Sequence, residues 1–215
     1  MNEWLTLYKG GIGEYEEKKS RFIATLEPVS SEEAATEFIA SIKKKYWDAR
    51  HNCSAFVLGE SGEKTRCSDD GEPSGTAGRP MLNVLTGEHI TNACVVVTRY
   101  FGGTLLGTGG LVRAYSAAVK EAIANSEVIR KQNGSILKID CDYNDHGKIV
   151  NMAAKNGYLI TDTDFGEAVT LTMVSDDVHK LINEITDITS ARAACHEPVS
   201  AVYAMIEGQV HFFDA

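Results

Sequence analysis

The sequence lacks any run of about 20 consecutive apolar residues, the length that a helix needs to cross a bilayer. Its first 20 residues, MNEWLTLYKGGIGEYEEKKS, contain neither a basic leader nor the long apolar stretch that targets a chain for export. We therefore expect a cytoplasmic protein with no membrane partner.

Closely spaced cysteines are also missing. There are five in all, an odd number, and the nearest pair, Cys53 and Cys67, is 14 positions apart. This spacing indicates neither a disulfide framework nor a CxxC metal or redox pair. We predict reduced and mostly buried thiols, because a free cysteine usually packs as a small apolar residue.

An excess of positive charge is absent as well. The chain carries 21 Lys and Arg against 30 Asp and Glu, a net charge of -9, which argues against a phosphate-backbone partner. The acidity is uneven, however: residues 1–132 hold 16 basic against 17 acidic side chains, and residues 133–215 hold 5 against 13. The near-neutral first part therefore remains compatible with RNA.

Local patterns in the first part predict helices packed on a sheet. Polar and apolar residues alternate up to Pro28, as in a half-buried strand, and the capping-box pair Ser30 and Glu33 begins a helix that ends in three lysines. Two strands joined by a turn follow over 53–70, and ACVVVTRYF, apolar without alternation, predicts a central strand. An amphipathic helix over 111–126 then packs on the sheet.

The second part predicts a different module. The polar stretch RKQNGS and the change in charge balance place a domain boundary between residues 1–132 and 133–215. Beyond it, the patterns give strand, helix, strand, strand, helix and strand, with one helix ending at Gly157. This βαββαβ order is typical of a ferredoxin-like domain, so the chain as a whole is predicted to be α+β.

Nine of the 19 glycines lie between Gly71 and Gly110, in SDDGEPSGTAGRP and TRYFGGTLLGTGGLVRAY. Glycines ahead of two predicted helices are able to expose backbone N–H groups to an anion. The alternative is a pair of tight connections, with Thr76 or Gly78 capping a helix that has Pro80 in its first turn.

Common nucleotide signatures do not fit these glycines. Gly102 and Gly107 have P-loop spacing, but Thr108 and Gly109 stand where Lys and Ser or Thr are needed to hold phosphates. Val112 occupies the place of the third glycine in the dinucleotide fingerprint. We therefore predict neither a Walker-type NTPase nor a Rossmann site, and no cofactor.

Hydrolase and metal chemistry are not indicated either. Ser74 lacks the glycine two residues before it that a nucleophile elbow requires. Five other side chains have groups that bind divalent cations, namely Asp48, His51, Asp69, Asp70 and Glu72. Turn-forming acids and a structural histidine are the preferred interpretation, because Asp is an ordinary turn residue.

Three long motifs, WDARHNCSAFVLG, SDDGEPSGTAGRPML and VVVTRYFGGTLLGTGGLVRAYSAAV, occur in this order within residues 46–119. Together they resemble the signature of the YigZ/IMPACT family. The resemblance implies a first domain of left-handed βαβ topology, similar to domain IV of elongation factor G, a second domain similar to domain V, and a role near translation. In the second domain the resemblance rests on element order rather than on motifs.

The residues of these motifs also suggest a nucleic-acid or anion-binding face. We predict that Arg79, Arg99 and Arg113 form a cationic rim around backbone N–H groups, with Tyr100 or Phe101 stacking a base. The predicted face comprises Ser74, Gly75, Thr76, Gly78, Arg79, Arg99, Tyr100, Phe101, Gly102, Gly103 and Arg113, supported by His51, Asn52, Asp69, Asp70 and Glu72. In the alternative, the two aromatic residues are core and the arginines pair internally with the acids.

The leading hypothesis is a non-enzymatic protein that binds RNA or a ribosome-associated factor through this glycine-rich face. A second hypothesis is a small enzyme acting on a phosphorylated or carboxylated metabolite, with the acids near Glu72 as proton carriers. A third is a protein-binding adaptor.

Overall fold

A computed structural model describes residues 3–213, which form two compact units divided between Arg130 and Lys131. Both units contain helices and strands, which confirms the predicted α+β, two-domain fold. The left-handed crossover and the likeness to elongation factor domains stay predictions. No helix among the described residues is long and apolar enough to cross a membrane.

The first unit is built on an antiparallel sheet in the order β2-β3-β7-β4-β5. Its elements are β1 (Glu3–Lys9), β2 (Gly11–Glu17), β3 (Ser20–Pro28), α1 (Glu32–Lys45), β4 (His51–Leu58), β5 (Lys64–Ser68), α2 (Gly78–Gly87), β6 (Ile90–Thr91), β7 (Ala93–Tyr100) and α3 (Gly107–Ala124). The apolar strand β7 is central, as its unbroken pattern predicts, and β1 pairs in parallel with β6.

Helices cover both faces of this sheet. On one face, Ala35 and Phe38 of α1 pack with Phe56 and Cys94 from the strands. On the other, α2 and α3 bury a larger core that includes Tyr115. Burial on both faces explains why β7 shows no polar alternation.

The topology brings several chain segments to one end of the sheet. Because β3 and β4 are both antiparallel to β7, they run parallel to each other, and each begins where β7 ends. Arg21 is thus opposite Tyr100, and His51 is opposite Arg99. The end of α1 and the loops that carry the family motifs belong to this same end.

Strand β2 lies unusually close to α3. A Cβ atom placed on Gly13 would lie 2.2 Å from the backbone nitrogen of Ala122, well inside the contact distance of real side chains. Gly11 approaches the backbone at the end of the same helix, with its Cβ position 2.4 Å from the Ala122 carbonyl oxygen. The approach of strand and helix therefore depends on glycine.

The second unit has ferredoxin-like topology. Its elements are β8 (Glu127–Cys141), which begins in the first unit, α4 (Tyr143–Asn156), β9 (Leu159–Phe165), β10 (Val169–Ser175), α5 (Val178–Thr189), β11 (Ala194–Cys195), β12 (Val199–Ile206) and β13 (Gln209–Phe213). The sheet order β12-β8-β10-β9 is antiparallel throughout and places the split βαβ strands as that fold requires. The short β11 and the terminal β13 are additions that the sequence patterns do not predict.

The polar stretch RKQNGS is not a loop but part of β8. Gly134 pairs with Ala201 of β12, and a Cβ on Gly134 would lie 2.8 Å from the Ser175 carbonyl oxygen. The neighbouring side chains are half-buried, so their polarity reflects partial solvent contact within a strand rather than a flexible linker.

A carboxylate anchors the start of α4. Asp145 is almost fully buried and accepts hydrogen bonds from Arg192 Nη2 and Nε at 2.7 and 2.9 Å and from Lys148 Nζ at 2.7 Å. The hydrogen bonds from Arg192 and Lys148 outweigh burial and lower the pKa of Asp145 to about 2. The folded state therefore favours the ionised form.

We expect Asp145→Asn to lower the thermal unfolding midpoint at pH 7 and to lose this effect in acid. An aspartate that titrates at about 3.9 when unfolded contributes stability above that pH and loses it as the pH falls through the folded pKa. The variant and the parent should therefore converge between pH 4 and 2. Circular dichroism melts across this range, with the exposed Asp164→Asn as control, test this; a difference that persists at pH 2 would contradict it.

Candidate functional site

A cleft of about 620 Å³ opens at the end of the first unit's sheet where β7 finishes. Four segments line it: residues 48–51 at the start of β4, residues 71–73, residues 99–101 and the stretch 105–111 at the start of α3. Three of these segments belong to the two glycine-rich motifs, so the structure brings both motifs to one cavity.

A buried ion pair forms the floor of the cleft. Arg99 Nη1 donates to Glu72 Oε1 at 2.7 Å, and the side chains of Arg99 and Glu72 are 8% and 3% exposed. The Tyr115 hydroxyl donates to the same oxygen at 2.8 Å. Burial, reinforced by Cys53 and Glu72, raises the pKa of Tyr115 far above its usual value, so its hydroxyl remains a donor.

Two aromatic rings lie beside the guanidinium of Arg99. The ring centroids of Phe22 and Phe101 are 5.5 and 5.7 Å from its central carbon, within the range of cation–π attraction. Phe22 is fully buried, whereas Phe101 is 56% exposed and lines the cleft. Arg99 Nε is buried and has no hydrogen-bond partner within residues 3–213. The floor therefore retains unused hydrogen-bonding capacity.

The loop before α2 is closed by its own aspartate. The Asp69 carboxylate accepts hydrogen bonds from the backbone nitrogens of Gly75, Ala77 and Gly78 at 2.8, 3.0 and 2.9 Å. Burial opposes its ionisation, but these three amides prevail and lower the pKa of Asp69. The amides expected to face an anion at this helix entrance are thus occupied. Ala77 stands at the N-cap without a side-chain bond, and the Thr76 hydroxyl donates to a loop carbonyl instead.

The predicted supporting residues hold the loops in place. Asp70 accepts from the Asn52 backbone nitrogen at 2.8 Å and from Lys43 Nζ at 2.6 Å, while His51 Nδ1 lies 3.0 Å from the Asp70 carbonyl oxygen. Asp48 accepts from the hydroxyl of Tyr100 at 2.8 Å. No three His, Cys, Asp or Glu side chains among the described residues gather in a way that suits a metal ion.

In the second motif, glycine is needed because the backbone approaches another segment closely and adopts positive φ angles. A Cβ on Gly102 would lie 2.1 Å from the backbone of Lys19, and the Gly102 nitrogen donates to Ser20 Oγ at 3.1 Å. Gly103 and Gly107 have φ angles of 85° and 69°, which favour glycine. Helix α3 consequently begins at Gly107, four residues before the predicted start.

The expected rim of three arginines does not form. Arg99 is buried on Glu72, as in the alternative of internal pairing, and so adds no free cation to the surface. Arg79 lines a separate depression of about 500 Å³ between α2 and α3, together with Lys120. Arg113 is exposed on α3. Phe101, by contrast, is open to solvent and is not a core residue.

A different group of cations lies at this end of the sheet. We call it the basic end; it consists of exposed Lys18, Lys19, Lys44, Lys45 and Arg50. In the part of the chain that the structure describes, none of the five forms an ion pair. The lysine run at the end of α1 is visible in the sequence, but its position at this end of the sheet follows from the strand order, because β4 begins there just after α1 ends.

The acids around the cleft do not neutralise the basic end. Asp48 and Glu72 accept from tyrosine hydroxyls, Glu72 also from Arg99, and Asp69 from three amides. Asp70 pairs with Lys43. Lys43 and Arg99 cancel the charges of Asp70 and Glu72. Asp48 and Asp69 keep their negative charge, as do Glu16 and Glu17 beside the β2–β3 turn, so the five unpaired cations leave a small positive excess at this end of an acidic protein.

The fold and the motifs define a two-domain α+β protein, and family models match each domain. Residues 18–123 match the Impact N-terminal domain, and residues 139–192 match a domain of unknown function, DUF1949. The IMPACT family member YvyE of Bacillus subtilis (strain 168) is 40% identical over 199 residues, which cover 92% of each chain. The chain belongs to the IMPACT family.

One solved structure has a similar architecture over most of both chains. The crystal structure of a hypothetical protein is 34% identical, covers 91% of this chain and 97% of its own, and gives a TM-score of 0.60. The structure of Yih1, described as a two-domain translational regulator, is 26% identical and covers 56% of this chain and 47% of its own, with a TM-score of 0.36.

Proposed function

We propose that this protein binds structured RNA within the translation apparatus, as a non-enzymatic factor, through the basic end and the adjoining cleft. Membership of the IMPACT family, in which Yih1 is described as a translational regulator, supports a role in translation. The observation that supports RNA as the ligand is the group of five unpaired cations near a cleft that has an exposed phenylalanine.

Phosphate contacts explain how an acidic protein binds RNA. Lys and Arg side chains that neutralise phosphates release condensed counterions, and this release supplies much of the affinity. The relevant charge is that of the contact surface, since charges beyond about 10 Å are screened at moderate salt. The basic end meets this requirement, while the excess acidity belongs to residues 133–215.

Exposed aromatic side chains complement these cations. Trp47, which precedes the lining residue Asp48, is 82% exposed, and Phe101 at the cleft is 56% exposed. Unpaired RNA bases stack on such rings, whereas fully paired duplexes offer few base faces. Cations beside accessible aromatic rings therefore suit RNA with loops or bulges.

The double variant Lys44→Ala/Lys45→Ala should bind a structured RNA hairpin about tenfold more weakly at low salt, because two phosphate contacts are lost. The slope of log affinity against log salt should fall by about 2. Fluorescence anisotropy with a labelled hairpin at several salt concentrations measures both quantities.

A matched control separates local from global charge. Lys138→Ala/Lys155→Ala removes two exposed lysines from the second unit and changes the net charge equally. We expect this control to bind like the parent. If both variants weaken RNA binding equally, or if neither weakens it, the proposal is wrong. Capture of a ribosomal protein without RNA would favour an adaptor instead, and turnover of a small metabolite would favour an enzyme.

A further inference from the structure

We propose that the cleft is a pocket for one unpaired nucleobase, whose edge binds the Arg99–Glu72 pair and whose face stacks on Phe101. The inference rests on the proposed RNA-binding function and specifies which part of the RNA enters the cleft. It follows from the hydrogen-bonding groups of the floor, the character of the walls and the exclusion of simpler anions.

The floor offers a donor next to an acceptor. Arg99 has five N–H donors, and among residues 3–213 only its Nη1 has a hydrogen-bond partner. Its Nε is fully buried, so the N–H groups that a ligand in the cleft is able to contact are those of Nη2. Glu72 Oε1 accepts from both Arg99 and Tyr115, while no described residue donates to Glu72 Oε2. A ligand that accepts a hydrogen bond from Arg99 and donates one to Glu72 would satisfy the remaining hydrogen-bonding capacity of both side chains.

The edge of a nucleobase carries a hydrogen-bond donor beside an acceptor, and a simple anion does not. Every base carries an N–H donor beside an oxygen or nitrogen acceptor on its Watson–Crick edge. A phosphate or carboxylate accepts hydrogen bonds but brings a negative charge against Glu72, which like-charge repulsion disfavours. The buried carboxylate in the floor thus selects a neutral donor–acceptor ligand over an anion.

The walls of the cleft suit a flat aromatic ring. Apolar residues from several segments line them, namely Ala49, Pro73, Phe101, Leu105, Leu106 and Leu111. The volume of about 620 Å³ lies within the range of small-molecule sites and exceeds what one base needs. All four bases stack on aromatic side chains, so Phe101 supplies affinity for any base, and the hydrogen-bonding groups of the floor orient it.

The position of the basic end agrees with this use. Arg50 lines the cleft, and Lys44 and Lys45 end the helix just before its lining segment. Phosphates that flank an inserted base are therefore able to contact cations at the rim. A base inside a duplex cannot reach the floor, so the inserted base must be unpaired.

Free nucleotides test the pocket without RNA. By isothermal titration calorimetry, nucleoside 5′-monophosphates should bind the protein, and ribose 5-phosphate should not. Phe101→Ala should weaken nucleotide binding about tenfold, because one stacking contact is lost. Phe165→Ala removes an equally exposed ring from the second unit and should change nothing. Ribose 5-phosphate binding as well as the nucleotides would overturn the base pocket in favour of an anion site.

Two RNA hairpins that differ by a single bulged nucleotide separate this inference from the proposed function. The parent should bind the bulged hairpin about tenfold more tightly, and both Phe101→Ala and Glu72→Gln should abolish this preference while the salt dependence remains. Circular dichroism confirms that each variant is folded.

The possible failures are distinguishable. If the parent binds both hairpins equally and the Lys44→Ala/Lys45→Ala variant loses affinity for both, the base pocket is wrong and RNA binding stands. If nucleotides bind and neither hairpin does, the pocket stands and the proposed function is wrong. Absence of nucleotide binding by the folded parent would overturn the pocket.

Discussion

Glu72→Ala should lower the free energy of unfolding by about 3–5 kcal/mol, the usual cost of removing one partner of a buried ion pair. The guanidinium of Arg99 would remain buried with no carboxylate, and the Tyr115 hydroxyl would lose its acceptor at the same time. Urea denaturation of the full chain at pH 7, followed by circular dichroism, measures the change.

Two further variants show whether burial is the cause. Glu14→Ala removes an exposed pair with Arg21 and should cost at most about 1 kcal/mol. Glu72→Ala/Arg99→Met deletes both charges and should recover most of the loss, because no unpaired charge stays in the interior. If Glu72→Ala costs no more than Glu14→Ala, the Arg99–Glu72 pair does not behave as a buried ion pair, and its role in stabilising the fold is wrong.

Gly13→Ala should destabilise the protein by about 3 kcal/mol, near the upper end for overpacking. The added Cβ would lie 2.2 Å from Ala122 N and 2.7 Å from the Ala118 carbonyl oxygen, which are backbone atoms of α3. A side-chain rotation cannot relieve such contacts, so the helix itself has to move. Thermal unfolding of the parent and the variant measures the loss.

Gly147→Ala makes the same chemical change in open space. Gly147 lies inside α4, and no atom lies within 4 Å of its Cβ position. Alanine should therefore stabilise the protein by about 0.5–1 kcal/mol, because it favours the helix more than glycine does. Opposite signs for the two variants are the expected result. A neutral Gly13→Ala would show that β2 and α3 are not in close contact.

The fold was predictable where short-range patterns decide it. The buried strand β7 and the βαββαβ order of the second unit both follow from local periodicity. The capping signal before α1 was misplaced by one residue, since Ser31 rather than Ser30 accepts from the Ala34 nitrogen. The stretch RKQNGS, taken as the domain boundary, lies within β8, where partly buried residues are as polar as those of a loop.

The site was less predictable because its contacts span long distances in sequence. Asp69 closes the entrance of α2 through a loop, although composition suggested free amides there. Arg99 looked like a surface cation because most arginines are exposed, and only its pairing with Glu72 across the sheet end permits burial. The cations of the basic end converge through strand order, which no local pattern reveals.

The central position of β7 also constrains how the chain acquires its structure during synthesis. Strands β3 and β4 emerge from the ribosome well before β7, and each pairs with β7 rather than with the other. Until residue 100 is available, both strands carry unpaired backbone groups and apolar faces. Such distant pairing slows folding and prolongs exposure to aggregation. The nascent first unit should therefore be a client for chaperones until its seventh strand arrives.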